Sequence, residues 1–237
     1  MFAAQETLKL FKALLALLSA FAFAVSCTPP NGPPTIPPRP SLRDIASSEM
    51  REWITLNHIT YILPVEVKLY WLASLNEIRY IFLEDSVHLP PTFLTGAILS
   101  IFGGIIRYIT YRTLATAFTF EVVPAGARSK DPLKLAKLVT HGPYSIVRHP
   151  SYAGTVLNLV GSIMVHLVEG SWIRSELSGA HDGVKFCVYT WLSIISTACV
   201  LIMMRMGHED RIMKGQFGEE WIQWSRNVPY KIVPGVC

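Results

Sequence analysis

The residues with chemical reach collect in three places. The first is His141 to Gly154, which reads HGPYSIVRHPSYAG. Gly142-Pro143 imposes a backbone turn and frees nearby polar groups for a ligand. Pro150 suits the first turn of a helix, where no amide hydrogen is needed. A helix opening near Ser151 leaves its first amides able to bond a carboxylate or a sugar hydroxyl. Tyr144 and Tyr152 offer aromatic faces to a purine or a cation. A belt of interfacial aromatics with a snorkelling Arg148 would account for part of this. It leaves the ordered Gly-Pro-Tyr and Arg-His-Pro set unexplained. The second place is RMGHEDR, Arg205 to Arg211. If a helix runs through it, Arg205 and Glu209 stand at i and i+4 on one face. The bland account is a surface ion pair worth little, and spacing alone favours it. The functional account gives the two residues different roles. Arg205 reaches an anion, and Glu209 accepts hydrogen bonds from a ligand hydroxyl or amine. The third place is Arg107, well inside the apolar stretch 97–111. A charge at the centre of a span costs about 2.5–3.5 kcal/mol on insertion scales. Arg107 either snorkels with Arg112 or forms an anion site facing the protein interior.

The elements that must position these residues are membrane helices. Of the 237 residues, 51% are hydrophobic and 16% are charged, with a mean hydropathy of +0.35. Soluble domains carry about a quarter charged residues. Apolar segments occupy residues 10–26, 92–111, 152–168 and 186–204, and a mixed stretch with Pro64 in it covers 45–83. That stretch reads as one long kinked helix or two short ones. Gly96, Gly103 and Gly104 let neighbouring helices approach closely. The expected fold is all-α, a polytopic membrane protein of about five or six transmembrane helices. The last loop and the C-terminal segment are expected to form a cytosolic pocket. Residues 1–27 read as a first transmembrane helix, with a signal peptide as the alternative. Residues 28–44 are a Pro-rich linker, 45–111 are transmembrane helices, and 112–237 form a catalytic region that includes the last two spans.

Charge orients the chain. Basic residues gather between Arg107 and Arg148 and again after Arg205, so both regions are expected in the cytosol. Five spans would put the N-terminus on the opposite side, against the pull of Lys9 and Lys12. Six would remove that conflict but leave Arg39, Arg43 and Arg51 outside. The net charge of +4 is too modest to suggest nucleic acid. The four cysteines form no Cys-x-x-Cys pair, which argues against a metal site. Cys237 is the last residue, so it is not the prenylated cysteine of a C-a-a-X tail.

Taken in order, LVTHGPYSIVRHPSYAG at 138–154, the Arg-x-x-x-Glu of Arg205 and Glu209, FGEEW at 217–221 and the Val-Pro of 228–229 resemble the isoprenylcysteine carboxyl methyltransferase family. That family lies within a wider membrane group that includes phospholipid N-methyltransferases. The resemblance implies S-adenosylmethionine as cofactor, held by Ala136, Lys137, Leu138, Val139, Tyr144, His149, Pro150, Ser151, Tyr152 and Glu209. It implies Arg205 as the substrate-side arginine and Arg107 as a second arginine, followed later by Phe118. The implied substrate is the prenylated C-terminal cysteine of CaaX proteins at the endoplasmic reticulum membrane. The departures are His208 before an acidic pair that reads Glu209-Asp210, Trp221 and Trp224 as the late aromatics, and a longer segment before Lys137. Two rival readings stay open, a phospholipid headgroup N-methyltransferase and a non-catalytic membrane scaffold.

Overall fold

The computed structural model describes residues 2–28, 36, 48–114, 137–179 and 182–236. Helix α1 (Phe2–Cys27) is followed by α2 (Ser48–Asn57), a wide π turn (His58–Ile62) and α3 (Leu63–Leu83). Then come α4 (Pro91–Leu114), a 3-10 turn (Gly142–Ser145), α5 (Pro150–Leu167), α6 (Trp172–Gly179), α7 (Asp182–Phe217) and α8 (Glu219–Asn227). Among the described residues there is no strand, so the all-α polytopic expectation is borne out. Pro64 explains the π turn. It donates no amide hydrogen, and its ring crowds the carbonyl of Thr60. A wider turn accommodates both, and the chain stays helical from α2 into α3.

The bundle is built around α1, α4 and α5. In α4 and α5 glycine lets the two backbones touch. A Cβ on Gly103 would fall 2.5 Å from Asn158 N and from Gly154 O, and one on Gly161 would meet the backbone of Ser100. The approach seats a buried polar seam, in which Asn158 Nδ2 donates to Ser100 O at 2.8 Å. Helix α1 runs parallel to α4: Ser100 Oγ bonds Ser19 O and Arg107 bonds Ser26 O. Helix α3 runs antiparallel to α1, with Tyr70 stacked on Phe23 at 4.4 Å and Glu77 beside Lys12. The first residues of α1 therefore lie at the end of the bundle opposite Arg112 and Arg148.

That arrangement disposes of the charge conflict. Lys12 is 2% exposed. Its Nζ donates to Gly170 O at 2.9 Å, lies 3.7 Å from Glu77 Oε1 and sits over the Phe93 ring. Glu77 Oε2 in turn accepts the Trp172 amide at 2.7 Å. The lysine faces the protein, so it does not mark a cytosolic end. Among the described residues three helices are long and apolar enough to cross a membrane, α1, α4 and α7, or four if the α5–α6 pair, bent by 54°, is one span. This is fewer than the five or six expected from hydropathy. Helix α3 is long enough but carries Glu66, Lys68, Glu77 and Arg79, of which the two carboxylates turn into the bundle. Helix α7 has 36 residues, about 54 Å at 1.5 Å per residue. It outruns the ~30 Å hydrocarbon core, and its last turns carry Arg205, Glu209 and Asp210 beyond it.

Candidate active site

The site forms where α5 begins and α7 emerges. Pro150 opens α5 directly after the non-helical residue His149, as its fixed φ and missing amide hydrogen favour. The freed backbone of the two preceding residues is taken up by the C-terminal segment. Arg148 N–H donates to Tyr230 O at 2.9 Å, and His149 N–H to Lys231 O at 2.8 Å. Helix α8 adds Trp224, whose Nε1 donates to Tyr144 O at 3.1 Å, and Trp221, whose ring lies 5.7 Å from the Arg148 guanidinium. A left-handed residue, Gly218 (φ 53°), breaks α7 from α8 so that the latter can fold back.

Helix α7 does continue past residue 204, so Arg205 and Glu209 share a face. Arg205 Nε donates to Glu209 Oε1 at 2.9 Å. The same carboxylate oxygen accepts the Tyr152 hydroxyl from α5. His149 stacks on Tyr152 at 5.7 Å and is bracketed by two carboxylates. Its Nε2 is 3.0 Å from Asp210 Oδ1, and its Nδ1 is 3.7 Å from Glu209 Oε2. Arg148 Nη1 stands 3.4 Å from Asp210 Oδ2. From α2, Glu52 Oε1 approaches Arg205 Nη2 at 3.9 Å. Carboxylates and basic side chains thus alternate across the site, in the order Glu52, Arg205, Glu209, His149, Asp210 and Arg148.

Arg107 is placed differently. Its Nε and Nη2 donate to Ser26 O at 3.1 and 2.8 Å, and its Nη1 donates to Ser151 Oγ. Tyr111, whose ring carries the guanidinium at 4.7 Å, donates its hydroxyl to the same Ser26 carbonyl at 2.7 Å. A cation at the C-terminus of α1 also complements the helix dipole. Arg107 thus ties α1, α4 and the start of α5 together rather than snorkelling to solvent. Both Arg107 and Arg205 act electrostatically on Tyr152.

Of the other expected contacts, Leu138 and Pro150 are buried, Val139 and Tyr144 half-buried, and Lys137 exposed. Ser151 serves Arg107 through its hydroxyl. Ala136 and Phe118 lie outside the described residues. Burial raises the Tyr144 phenol well above its ordinary value, and the Glu209 carboxylate adds to the effect. Tyr144 therefore keeps its proton. Sequence reasoning missed Glu52 and the carbonyls of Tyr230 and Lys231. A backbone acceptor has no side-chain signature, and Glu52 sits far from the motif in an otherwise ordinary amphipathic helix.

Residues 91–174 match the family model described as phospholipid methyltransferase. The chain is 26% identical over 134 residues to "Protein-S-isoprenylcysteine O-methyltransferase B" of Arabidopsis thaliana, covering 56% of this chain and 55% of that protein. It is 24% identical over 174 residues to the "Probable protein-S-isoprenylcysteine O-methyltransferase" of Oryza sativa subsp. indica and to that of subsp. japonica, covering 73% of this chain and 68% of each. The match thus spans little more than half the length of the Arabidopsis protein. No solved structure matches. The likeness to isoprenylcysteine carboxyl methyltransferases read from the sequence is borne out by these relatives.

Proposed function

We propose that this chain methyl-esterifies the C-terminal carboxylate of a prenylated cysteine, as left by CaaX processing, with S-adenosylmethionine as donor, in the endoplasmic reticulum membrane. One observation carries the reading: α7 presents Arg205 one turn before Glu209, against Tyr152 and His149, at the depth where the helices leave the apolar bundle. A cation suited to a carboxylate and a carboxylate suited to hydroxyls or an amine stand side by side there. The lipid-soluble and water-soluble halves of the reaction can meet at that depth.

The residues fit the cofactor by their chemistry. Glu209 stays 24% exposed and can accept bonds from ribose hydroxyls or from the amino group. Tyr144 and Tyr152 offer aromatic faces for adenine or for a cation. Arg148 Nε and Trp221 Nε1 are buried donors with no partner among the described residues, and they suit the cofactor's own carboxylate. When bound, S-adenosylmethionine supplies an electrophilic methyl group.

The rest is positioning. A C-terminal carboxylate has a pKa near 3.5, so it is an ionised nucleophile at neutral pH, and the reaction needs no general base. Arg205 binds this carboxylate and aims one oxygen at the methyl carbon. Glu209 and Tyr152 hold the Arg205 fork in place. Arg107 fixes the start of α5 through Ser151, and with it the height of Tyr152. A shift of about 1 Å in such a geometry costs on the order of a hundredfold in rate.

The match of residues 91–174 to phospholipid methyltransferases favours a second reading, transfer to a headgroup amine. That chemistry needs a proton acceptor, and His149 between Glu209 and Asp210 is the candidate. Membranes containing the chain should therefore be given labelled S-adenosylmethionine with N-acetyl-S-farnesylcysteine and phosphatidylethanolamine together. A base-labile, volatile methyl product supports the ester reading. Label in lipid amine alone would replace it.

A further inference from the structure

Between α2 and α7 lies a small open groove on the Arg205 side of the site. Arg51, Arg205 and His208 make it basic, Thr55 adds a hydroxyl, and Leu201 and Met204 form an apolar wall. Neighbouring Val200 and Met203 are exposed large hydrophobics on the bundle exterior. The groove therefore has a polar end with two guanidinium groups and an apolar end beside exposed hydrophobic side chains. Glu52 stands at its polar end.

The two carboxylates on Arg205 are not equivalent. Glu209 is on the same helix, one turn away, with a hydrogen bond of 2.9 Å to Nε. Glu52 comes from another helix and stops 3.9 Å from Nη2. Charge-assisted bonds close to about 2.7–2.9 Å when they are fully formed. The Glu52 contact is thus the longer of these two and lies at the Nη2 end of the guanidinium.

Resting on the ester reading above, we infer that Glu52 is an internal counter-ion that the substrate carboxylate displaces from Arg205. Glu52 is then a specificity-determining residue. It keeps Arg205 neutralised while the groove is empty, and it sets the affinity an acid must have to enter. An ester or a neutral lipid gains nothing from displacing it.

The test uses the full chain in membranes. Binding of tritiated N-acetyl-S-farnesylcysteine and of its methyl ester is measured for the wild type, Glu52→Gln and the double variant Glu52→Gln/Arg205→Ala, alongside methyl transfer. In Glu52→Gln the acid should bind roughly fivefold tighter, the most that a partly exposed pair is worth. Binding of the ester should not change. KM should fall by the same factor, with kcat kept within about twofold. The double variant should lose the gain. Glu52→Asp, which withdraws the carboxylate by one methylene, should shift acid binding in the same direction and serves if Glu52→Gln does not accumulate. Acid affinity that stays level or weakens, or an equal shift for the ester, overturns the inference. If the wild type transfers no methyl and Glu52→Gln still tightens the acid, the counter-ion role stands and the ester reading falls.

Discussion

Gly103 offers the sharpest test of how the fold holds the site. A Cβ there would lie 2.5 Å from both Asn158 N and Gly154 O, which are backbone atoms that cannot swing aside. Ordinary contact needs about 3.5 Å, so Gly103→Ala must push α4 and α5 apart by about 1 Å. Overpacking of this kind costs about 1–3 kcal/mol. The wedge sits one turn from Arg107 on α4 and one turn from Ser151 on α5, so it strains the bond that fixes the top of α5. A displacement of that size at the reacting groups corresponds to roughly a hundredfold loss of rate. Thermal unfolding in detergent and methyl transfer in membranes read the two effects separately. Gly215→Ala is the control. Gly215 lies in α7 with no atom within 4 Å of an added Cβ, so alanine should be neutral, or stabilising by up to about 1 kcal/mol. If Gly103→Ala behaves like Gly215→Ala in both assays, the close contact does not position the site and the reasoning fails.

Arg205→Ala should lower turnover of a prenylcysteine acid while leaving S-adenosylmethionine affinity largely intact; Glu209→Ala should weaken cofactor affinity first, and equilibrium binding separates the two. Lys12→Met and Glu77→Gln should each destabilise by about 3–5 kcal/mol, because each strands a buried partner. The double variant should recover most of that loss in thermal unfolding, and strictly additive losses would mean that the pair is not coupled. Trp224→Phe removes the bond to Tyr144 O and should cost about 1 kcal/mol. It should appear as a higher KM for S-adenosylmethionine and not for the acid.

What could be read from the sequence was whatever a side chain announces by its own type and spacing. Pro150 marked the start of α5, the glycines of α4 marked a close helix contact, and Arg205 and Glu209 marked a shared face if the helix continued. What could not be read was whatever depends on a partner distant in the chain. Arg107 read equally well as an anion site or a snorkelling residue, and only the Ser26 carbonyl decides where its guanidinium goes. Lys9 and Lys12 looked like orientation signals. Lys9 pairs at 3.5 Å with Glu6 on its own helix, whereas the carboxylate facing Lys12 lies on α3, beyond any local window. The C-terminal clasp on Arg148 and His149 is made of backbone hydrogen bonds and has no compositional trace.

The Lys12–Glu77 contact also has a history in time. Helix α1 leaves the ribosome before Glu77 has been made. During that interval Lys12 has no Glu77 to pair with. Burying Lys12 without its partner costs a few kcal/mol. By length and hydropathy helix α1 is a span in its own right, and what α3 adds is the carboxylate that pairs with Lys12. Glu77 on α3 supplies the partner that the buried lysine lacks until then. The carbonyl of Gly170 and the amide of Trp172 then close around the pair when α5 and α6 follow.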